Sequence, residues 1–169
     1  MLKNKKETQK TKPKTYCILH NIRSVHNVGS FFRTAEASGV DKIYFTGYTP
    51  CPKDRFGKKR QDVSKVALGA EEIVSWEDGI EIKELIYKLK KDGVIIVAVE
   101  QDEKSISYKE IKKLSHKNTA FIFGNETDGI EKSILDMCDY ILEIPMSGKK
   151  ESINVSVAGG VILFERRDY

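Results

Sequence analysis

The sequence predicts a three-layer α/β domain, in which a mostly parallel sheet is flanked by helices. Several short segments are apolar throughout, as strands are when a parallel sheet is covered on both faces. They alternate along the chain with helical patterns. The 169 residues, 40% of them hydrophobic, suffice for one complete core and not for two. We therefore expect a single folded domain at 15–169, preceded by a basic flexible tail at 1–14.

The predicted strands are apolar runs that end at turn-forming or polar residues, at 16–21, 42–46, 72–74, 94–99, 119–123 and 140–144. Helices are predicted at 28–38 and 82–91, each followed by a glycine, with shorter helical turns near 109–114 and 132–137. A last helix is predicted at 153–166, with Ser152 as its N-cap. The segment 49–64 contains Pro50, Pro52 and Gly57, which predicts a long exposed loop.

Positive charge is concentrated in two polar segments. The net charge is +4, but residues 1–14 carry six lysines against Glu7. The segment 53–65 carries six basic residues against two aspartates. This distribution suits a polyanion such as RNA, and a solvated tail and loop explain it equally well. The candidate RNA-binding residues are Lys53, Arg55, Lys58, Lys59 and Arg60.

No apolar run is long enough to cross a bilayer, and no apolar stretch follows the basic N-terminus as it does in a signal peptide. We expect a cytoplasmic protein without membrane contact. The cysteines Cys17, Cys51 and Cys138 lack the spacing of a zinc site or a disulfide framework. No metal is expected.

The first candidate site segment is HNVGSFFR, residues 26–33, at the start of the first predicted helix. Asn27 is a natural N-cap, a structural role that needs no function. Arg33 stands between Phe32 and Ala35, so we expect it to be buried or half-buried and to need an acceptor. A structural ion pair and a substrate contact are equally good interpretations of Arg33.

Two further segments follow predicted strands. In GNETDG, residues 124–129, the glycine at a strand end allows close approach to a ligand, and Glu126 and Asp128 offer acceptors. A turn with helix-capping acids is the simpler interpretation. In IPMSGKKESIN, residues 144–154, main-chain groups around Pro145 and Gly148 are candidates to bind an adenine edge. Ser152 and Asn154 also fit ordinary helix-start positions.

Taken together, in this order and spacing, the three segments closely resemble the SpoU (TrmH-like) branch of the SPOUT methyltransferases. That family transfers a methyl group from S-adenosylmethionine to a ribose 2′-hydroxyl of RNA. Its first motif matches Asn27, Arg33 and the TAEASG run at 34–39, and its second matches the Gly-Asn-Glu turn at 124–126. Its third motif matches IPM at 144–146 and SINVS at 152–156. The resemblance covers about residues 15–169.

The resemblance implies a C-terminal trefoil knot, a fold that general topology rules would not predict. It also implies a homodimer and the cofactor S-adenosylmethionine. Implied catalytic residues are Arg33, Asn27, Glu126, Ser152 and Asn154. Implied cofactor-binding residues are Val99, Glu100, Gly124, Asn125, Ile144, Pro145, Met146, Ser152 and Ile153.

Two other classes of protein compete with this interpretation. One is a knotted RNA-binding module that has lost catalysis, and the other is a nucleotide-dependent enzyme of the Rossmann type. The second is disfavoured because no GxGxxG turn follows the first predicted strand and no phosphate-binding Walker loop is present. Transfer RNA is the first candidate substrate and ribosomal RNA the second.

Overall fold

A computed structural model describes residues 12–149 and 152–167 of the chain. Within these residues the centre of the fold is a seven-stranded sheet with the order β3-β2-β1-β6-β4-β7-β5, in which every pairing is parallel. The prediction of a mostly parallel sheet is confirmed. The strands are β1 (Thr15–His20), β2 (Lys42–Thr46), β3 (Ser75–Glu77), β4 (Ile95–Val99), β5 (Ile106–Ser107), β6 (Thr119–Phe123) and β7 (Tyr140–Glu143).

Helices connect most of the strands. They are α1 (Val25–Ser38), α2 (Gln61–Ala67), α3 (Ala70–Ile73), α4 (Ile82–Lys91), α5 (Lys132–Leu135) and α6 (Val155–Glu165), together with a 3₁₀ helix, Tyr108–Leu114. None of the helices in the described ranges is long and apolar enough to span a membrane.

Hydrophobic cores cover both faces of the sheet because successive strand residues point to opposite sides. Cys17 and Leu19 of β1 and Phe121 of β6 join the core beneath α1, α2, α6 and the 3₁₀ helix. Ile18 and Ile122 join the opposite core, with α4 and α5. The predicted three-layer architecture is confirmed.

Helices α1 and α6 approach each other closely at Gly159. A Cβ atom at this position would lie 2.3 Å from Cε1 of Phe31. Phe31 is fully buried and packs against Phe123 with ring centroids 4.9 Å apart, so its ring has no room to move. The absence of a side chain at Gly159 therefore sets the spacing of the two helices.

Both predicted helix caps at the site were wrong. Helix α1 begins at Val25, where Oγ of Ser24 accepts a hydrogen bond from the Asn27 amide at 3.3 Å, so Asn27 lies inside the helix. Helix α6 is capped by Asn154, whose Oδ1 accepts from the Ser156 amide at 2.8 Å, and not by Ser152. Both segments hold two cap-type residues, and the backbone path decides which oxygen reaches the free amides.

Two other boundaries differ from the predictions. Residues 61–64, predicted as loop, begin helix α2, and residues 72–74 lie in and just after α3, before β3 starts at Ser75. Of the predicted tail, residues 1–11 lie outside the described residues. At Lys14 the main chain already pairs with the sheet, because its carbonyl accepts from the Thr119 amide at 2.9 Å.

Candidate functional site

A cavity of about 670 Å³ lies at the carboxyl ends of β6, β4 and β7. These ends are level, because Val99 of β4 pairs with Phe123 of β6 and with Leu142 of β7. Ligands of open parallel α/β sheets bind at this edge. Among the predicted site residues, those that line the cavity are Val99, Glu100, Gly124, Asn125, Glu126, Ile144, Met146, Ser152, Ile153 and Asn154.

Three of the predicted catalytic side chains form one hydrogen-bonded chain. Nδ2 of Asn27 donates to Oε1 of Glu126 at 2.8 Å, and Nδ2 of Asn154 donates to Oδ1 of Asn27 at 3.0 Å. The chain joins the turn after β6 to the first turns of α1 and α6. It brings together residues that are 99 and 127 positions apart in sequence.

The Glu126 carboxylate also caps the start of α1. Its oxygens accept from the main-chain amides of Arg23 at 3.0 Å and Ser24 at 3.1 Å. Burial raises the pKa of this carboxyl group, but the hydrogen bonds from Arg23, Asn27 and Ser24 outweigh it and hold the pKa below its usual range. Glu126 is therefore an anion at neutral pH, with its charge directed at a helix N-terminus.

Asn125 fixes the shape of the turn that follows β6. Its Oδ1 accepts from the amides of Thr127 and Asp128, both at 2.8 Å. Its Nδ2 donates to the Asn21 carbonyl at 3.0 Å and to the Tyr48 hydroxyl at 2.8 Å. Neither Asn21 nor Tyr48 belongs to a motif, so the sequence did not predict a role for either residue.

Glu100 ties the same turn to β4. Its Oε2 accepts from the Ile130 amide at 3.0 Å and its Oε1 from the Gln101 amide at 2.8 Å. Gly124 leaves no room for a side chain, because a Cβ there would lie 2.5 Å from Cγ1 of Ile130. The tight return of the turn onto β6 therefore requires a glycine at this position.

Some predicted site residues lie elsewhere. Pro145 is exposed and does not line the cavity. Arg33 is also absent from the cavity lining. It lies on the exposed side of α1, about 120° around the helix axis from Asn27. The expectation of a buried or half-buried Arg33 was wrong, and the guanidinium has no ion pair within the described residues.

The predicted RNA-binding loop is an ordered, exposed turn between β2 and α2. Lys53 and Lys59 face each other in an antiparallel bridge at its base. Lys59 is neutralised by Glu72 at 2.6 Å and Glu71 at 3.4 Å. Arg60 is likewise neutralised, through two bonds to Asp62 at 3.1 Å and 2.6 Å.

The three other basic residues of this loop differ from Lys59 and Arg60. The side chains of Lys53, Arg55 and Lys58 are exposed and have no carboxylate partner in the described part of the chain. The positive charge that the loop presents therefore comes from these three residues.

Within the described ranges, no group of three or more histidine, cysteine, aspartate or glutamate side chains is arranged to hold a metal ion. The expectation of chemistry without a metal stays a prediction.

The parallel sheet and the cavity at its carboxyl edge place the chain among the α/β proteins with an open parallel sheet. Residues 14–164 match the SpoU rRNA Methylase family. The chain belongs to that family, as the resemblance in its sequence indicated.

Individual relatives agree with this assignment. The chain is 34% identical over 161 residues to the 23S rRNA (guanosine-2'-O-)-methyltransferase RlmB of Neisseria meningitidis, covering 93% of this chain and 59% of the relative. It superimposes on the AdoMet-bound rRNA methyltransferase of Sinorhizobium meliloti with a TM-score of 0.81 and 26% identity, covering 94% of this chain and 57% of that one. It superimposes on the A. aeolicus TrmH/SpoU tRNA modifying enzyme with a TM-score of 0.78 and 27% identity, covering 93% of this chain and 75% of that one.

The chain spans about three fifths of the length of the N. meningitidis relative. The matched part is the parallel α/β domain with its cavity.

Proposed function

We propose that this protein transfers a methyl group from S-adenosylmethionine to a ribose 2′-hydroxyl of RNA. The observation that carries the proposal is that two motif segments line one cavity, and that Asn27 of the remaining segment is bonded to Glu126 and Asn154 of these two in a continuous hydrogen-bonded chain. Membership of the SpoU family supports it. The similarity to the N. meningitidis relative, a 2′-O-methyltransferase, and to the S. meliloti relative, an AdoMet-bound methyltransferase, supports it further.

The cavity lining fits S-adenosylmethionine. Ile144, Met146 and Ile153 offer an apolar surface for an adenine ring. The volume of the cavity lies within the roughly 300–1,000 Å³ of ordinary ligand pockets. Its lining also includes the carboxylates Glu100, Glu126, Asp128 and Glu143, which suit a ligand bearing sulfonium and ammonium charges. When bound, the cofactor supplies an electrophilic methyl group.

The chain's own residues then bind and orient the substrate and stabilise the charge that develops on it. Arg33 holds a substrate phosphate or the alkoxide that develops on the 2′-oxygen as the hydroxyl proton passes to water. An arginine with a pKa above about 12 is a poor general base, so this electrostatic role is preferred to proton removal. Asn27, Glu126 and Asn154 are positioning residues, because hydrogen bonds among themselves and to main-chain amides occupy their side chains. Ser152, exposed at the cavity, orients the target nucleotide.

We further propose a homodimer in which Arg33 acts on the cavity of the partner subunit. The homodimer rests on the family resemblance, and in such a dimer Arg33, which does not line the cavity of its own chain, would meet a substrate bound at the partner's cavity. The outer side of α6 supports such an interface. Val157 is 54% exposed, Phe164 is 39% exposed, and a Cβ added to Gly160 would meet nothing within 4 Å. An apolar helix surface of this kind is typical of homodimer interfaces.

Transfer RNA is the first candidate substrate, as for the A. aeolicus tRNA modifying enzyme, and ribosomal RNA is the second, as for the N. meningitidis relative. A cytoplasmic location and the C-terminal trefoil knot complete the proposal, and both rest on the family resemblance. The remaining alternative is a catalytically silent knotted RNA-binding module.

The test uses the purified chain, methyl-labelled S-adenosylmethionine and total RNA, followed by mapping of ribose methylation. The wild type should methylate ribose. Arg33→Ala should abolish turnover and leave cofactor affinity within about twofold, because Arg33 does not line the cavity. Arg23→Ala is the matched control, since only the main-chain amide of Arg23 bonds to Glu126.

Methylation of bases alone, or full turnover by the Arg33 variant, would contradict the proposed mechanism. Cofactor binding without any methyl transfer would indicate the silent module. Whether Arg33 acts on the cavity of its own subunit or of the partner subunit is tested by mixing inactive Arg33→Ala with a cavity variant such as Gly124→Val. Recovery of activity in the mixed dimer is expected, and its absence would place Arg33 on the cavity of its own chain.

A further inference from the structure

A second cavity, of about 490 Å³, lies between the end of β2 and the basic loop. Its walls include two aromatic residues that the hydrophobic cores do not use, Tyr48 and Phe56. Tyr48 is 58% exposed and Phe56 is 76% exposed. Single exposed aromatic residues are common on protein surfaces, but two that share a cavity with unpaired basic side chains form a distinct surface.

The loop holds Phe56 outward through its own backbone. Oδ1 of Asp54 accepts from the amides of Phe56 at 2.8 Å and Lys58 at 2.9 Å. Gly57 has a φ angle of +78°, which closes the turn. The Arg60 amide bonds to the Pro52 carbonyl at 2.8 Å and fixes the base of the loop. The exposed ring is therefore preorganised, and the Asp54 charge is engaged by main-chain donors.

Arg55 places a cation beside this ring. Its guanidinium carbon lies 4.8 Å from the Phe56 ring centroid, within the distance of a cation–π contact. Lys53 and Lys58 add two further charges without a carboxylate partner in the described residues. Aromatic rings flanked by unpaired cations are the surface on which proteins stack nucleobases while binding the phosphates that join them.

The hydrogen bond from Asn125 to the Tyr48 hydroxyl connects this cavity to the turn that lines the first one. The Tyr48 main chain is also fixed, because its amide donates to Oδ1 of Asn21 at 3.3 Å. Gly47, with a φ angle of +64°, could not carry a Cβ, which would lie 1.8 Å from the same Asn21 oxygen. The second cavity thus has a defined position relative to the candidate site.

We propose that the cavity between Tyr48 and Phe56 is a stacking subsite for an unpaired nucleobase of the RNA substrate, next to the nucleotide that is methylated. The inference rests on the proposed function for its substrate class. Its occupant is an unpaired base, because a paired base would not expose the face that stacks on Phe56. The lysines and Arg55 bind the flanking phosphates.

The experiment measures equilibrium binding, without cofactor, of two hairpin RNAs that carry the same number of phosphates. One has a normal loop, and the other has the same loop with its bases removed. The wild type should bind the normal hairpin more tightly. Phe56→Ala should weaken that binding by roughly 5- to 150-fold, the effect of losing one stacked aromatic ring, and should leave the abasic hairpin unchanged within about twofold.

Phe56→Trp should restore the preference for the normal hairpin, because it returns a stacking surface. Since Phe56 is largely exposed, these variants should fold as the wild type does. Three outcomes would overturn the proposal: no preference of the wild type for the normal hairpin, equal loss on both RNAs in Phe56→Ala, or a change of oligomeric state, which would assign Phe56 to a protein contact.

The methyl-transfer assay is run separately, so the two proposals can fail independently. Ribose methylation with an unchanged Phe56→Ala affinity would reject the stacking subsite alone. If Phe56→Ala loses the preference for the normal hairpin as expected but the wild type transfers no methyl group, the stacking subsite would stand and the proposed enzymatic activity would be rejected.

Discussion

The turn after β6 and the loop between β2 and α2 contrast in how they use their polar side chains. At the turn, Asn125 and Glu126 bond to main-chain groups and to the side chains of Tyr48 and Asn27. In the loop, Arg55 and Lys58 are exposed and have no carboxylate partner among the described residues. The turn is preorganised before any ligand arrives, whereas the loop leaves its charge available.

This difference matches the ligands proposed for the two regions. A small cofactor that must be aligned with a reacting hydroxyl benefits from groups already held in place, since misplacement by about 1 Å can cost about 100-fold in rate. A polyanion gains most of its affinity from cations that can meet its phosphates. The bond between Asn125 and Tyr48 connects the two kinds of surface.

The largest expected effect comes from removing the Glu126 carboxylate. Glu126→Ala leaves the amides of Arg23 and Ser24 and the Asn27 side chain without their acceptor. Loss of this alignment should lower the rate of methyl transfer by about 100-fold or more. Glu131→Ala, which removes an exposed acid outside the cavity lining, is the control and should retain activity. Equal activity of the two variants would show that the hydrogen-bonded chain is not needed.

A second prediction concerns the packing that supports the preorganised turn. Gly159→Ala places a methyl group against the buried Phe31 ring, so it should lower the free energy of unfolding by about 1–3 kcal/mol. Gly160→Ala is its neighbour on α6 and meets nothing within 4 Å. It should be neutral or stabilising by about 0.5–1 kcal/mol, as expected for alanine within a helix.

Both variants should be measured by denaturant unfolding at a protein concentration low enough to keep the chain monomeric, because Gly160 lies on the α6 surface proposed for the dimer and self-association adds to apparent stability. Equal stability of Gly159→Ala and Gly160→Ala would mean that α1 and α6 can move apart at little cost. The packing that supports the turn would then not be rigid.

The strands were predictable because burial on both faces leaves a continuous apolar run. Residues 42–46 and 119–123 were predicted with the bounds of β2 and β6. Helix α2 was missed because only Val63 and Ala67 among its seven residues are buried, which gives too weak a pattern after a Pro- and Gly-containing segment.

The site was predictable only as three motif segments. Their order identified the family, and the parallel sheet brings two of them to one edge. The bond from Asn125 to Tyr48 spans 77 positions and depends on the loop path after β2, which no local pattern encodes. The exposure of Arg33 could have been predicted, because the helical spacing of Val28, Phe31, Phe32 and Ala35 places Arg33 on the opposite side of α1; the expectation of burial followed its sequence neighbours and not this period.

The smallest expected effect tests the loop side of the comparison. Lys58 is exposed and unpaired within the described residues, so we expect it to contact an RNA phosphate. Lys58→Ala should weaken RNA binding uniformly across sequences and reduce the slope of log affinity against log salt by about one. The measurement is RNA affinity over a salt series. Lys88→Ala is the control, since Lys88 is an exposed lysine of α4, on the opposite face of the sheet from α1 and α6. If both variants reduced the slope equally, binding would reflect the overall charge of the protein, and the loop would have no special role.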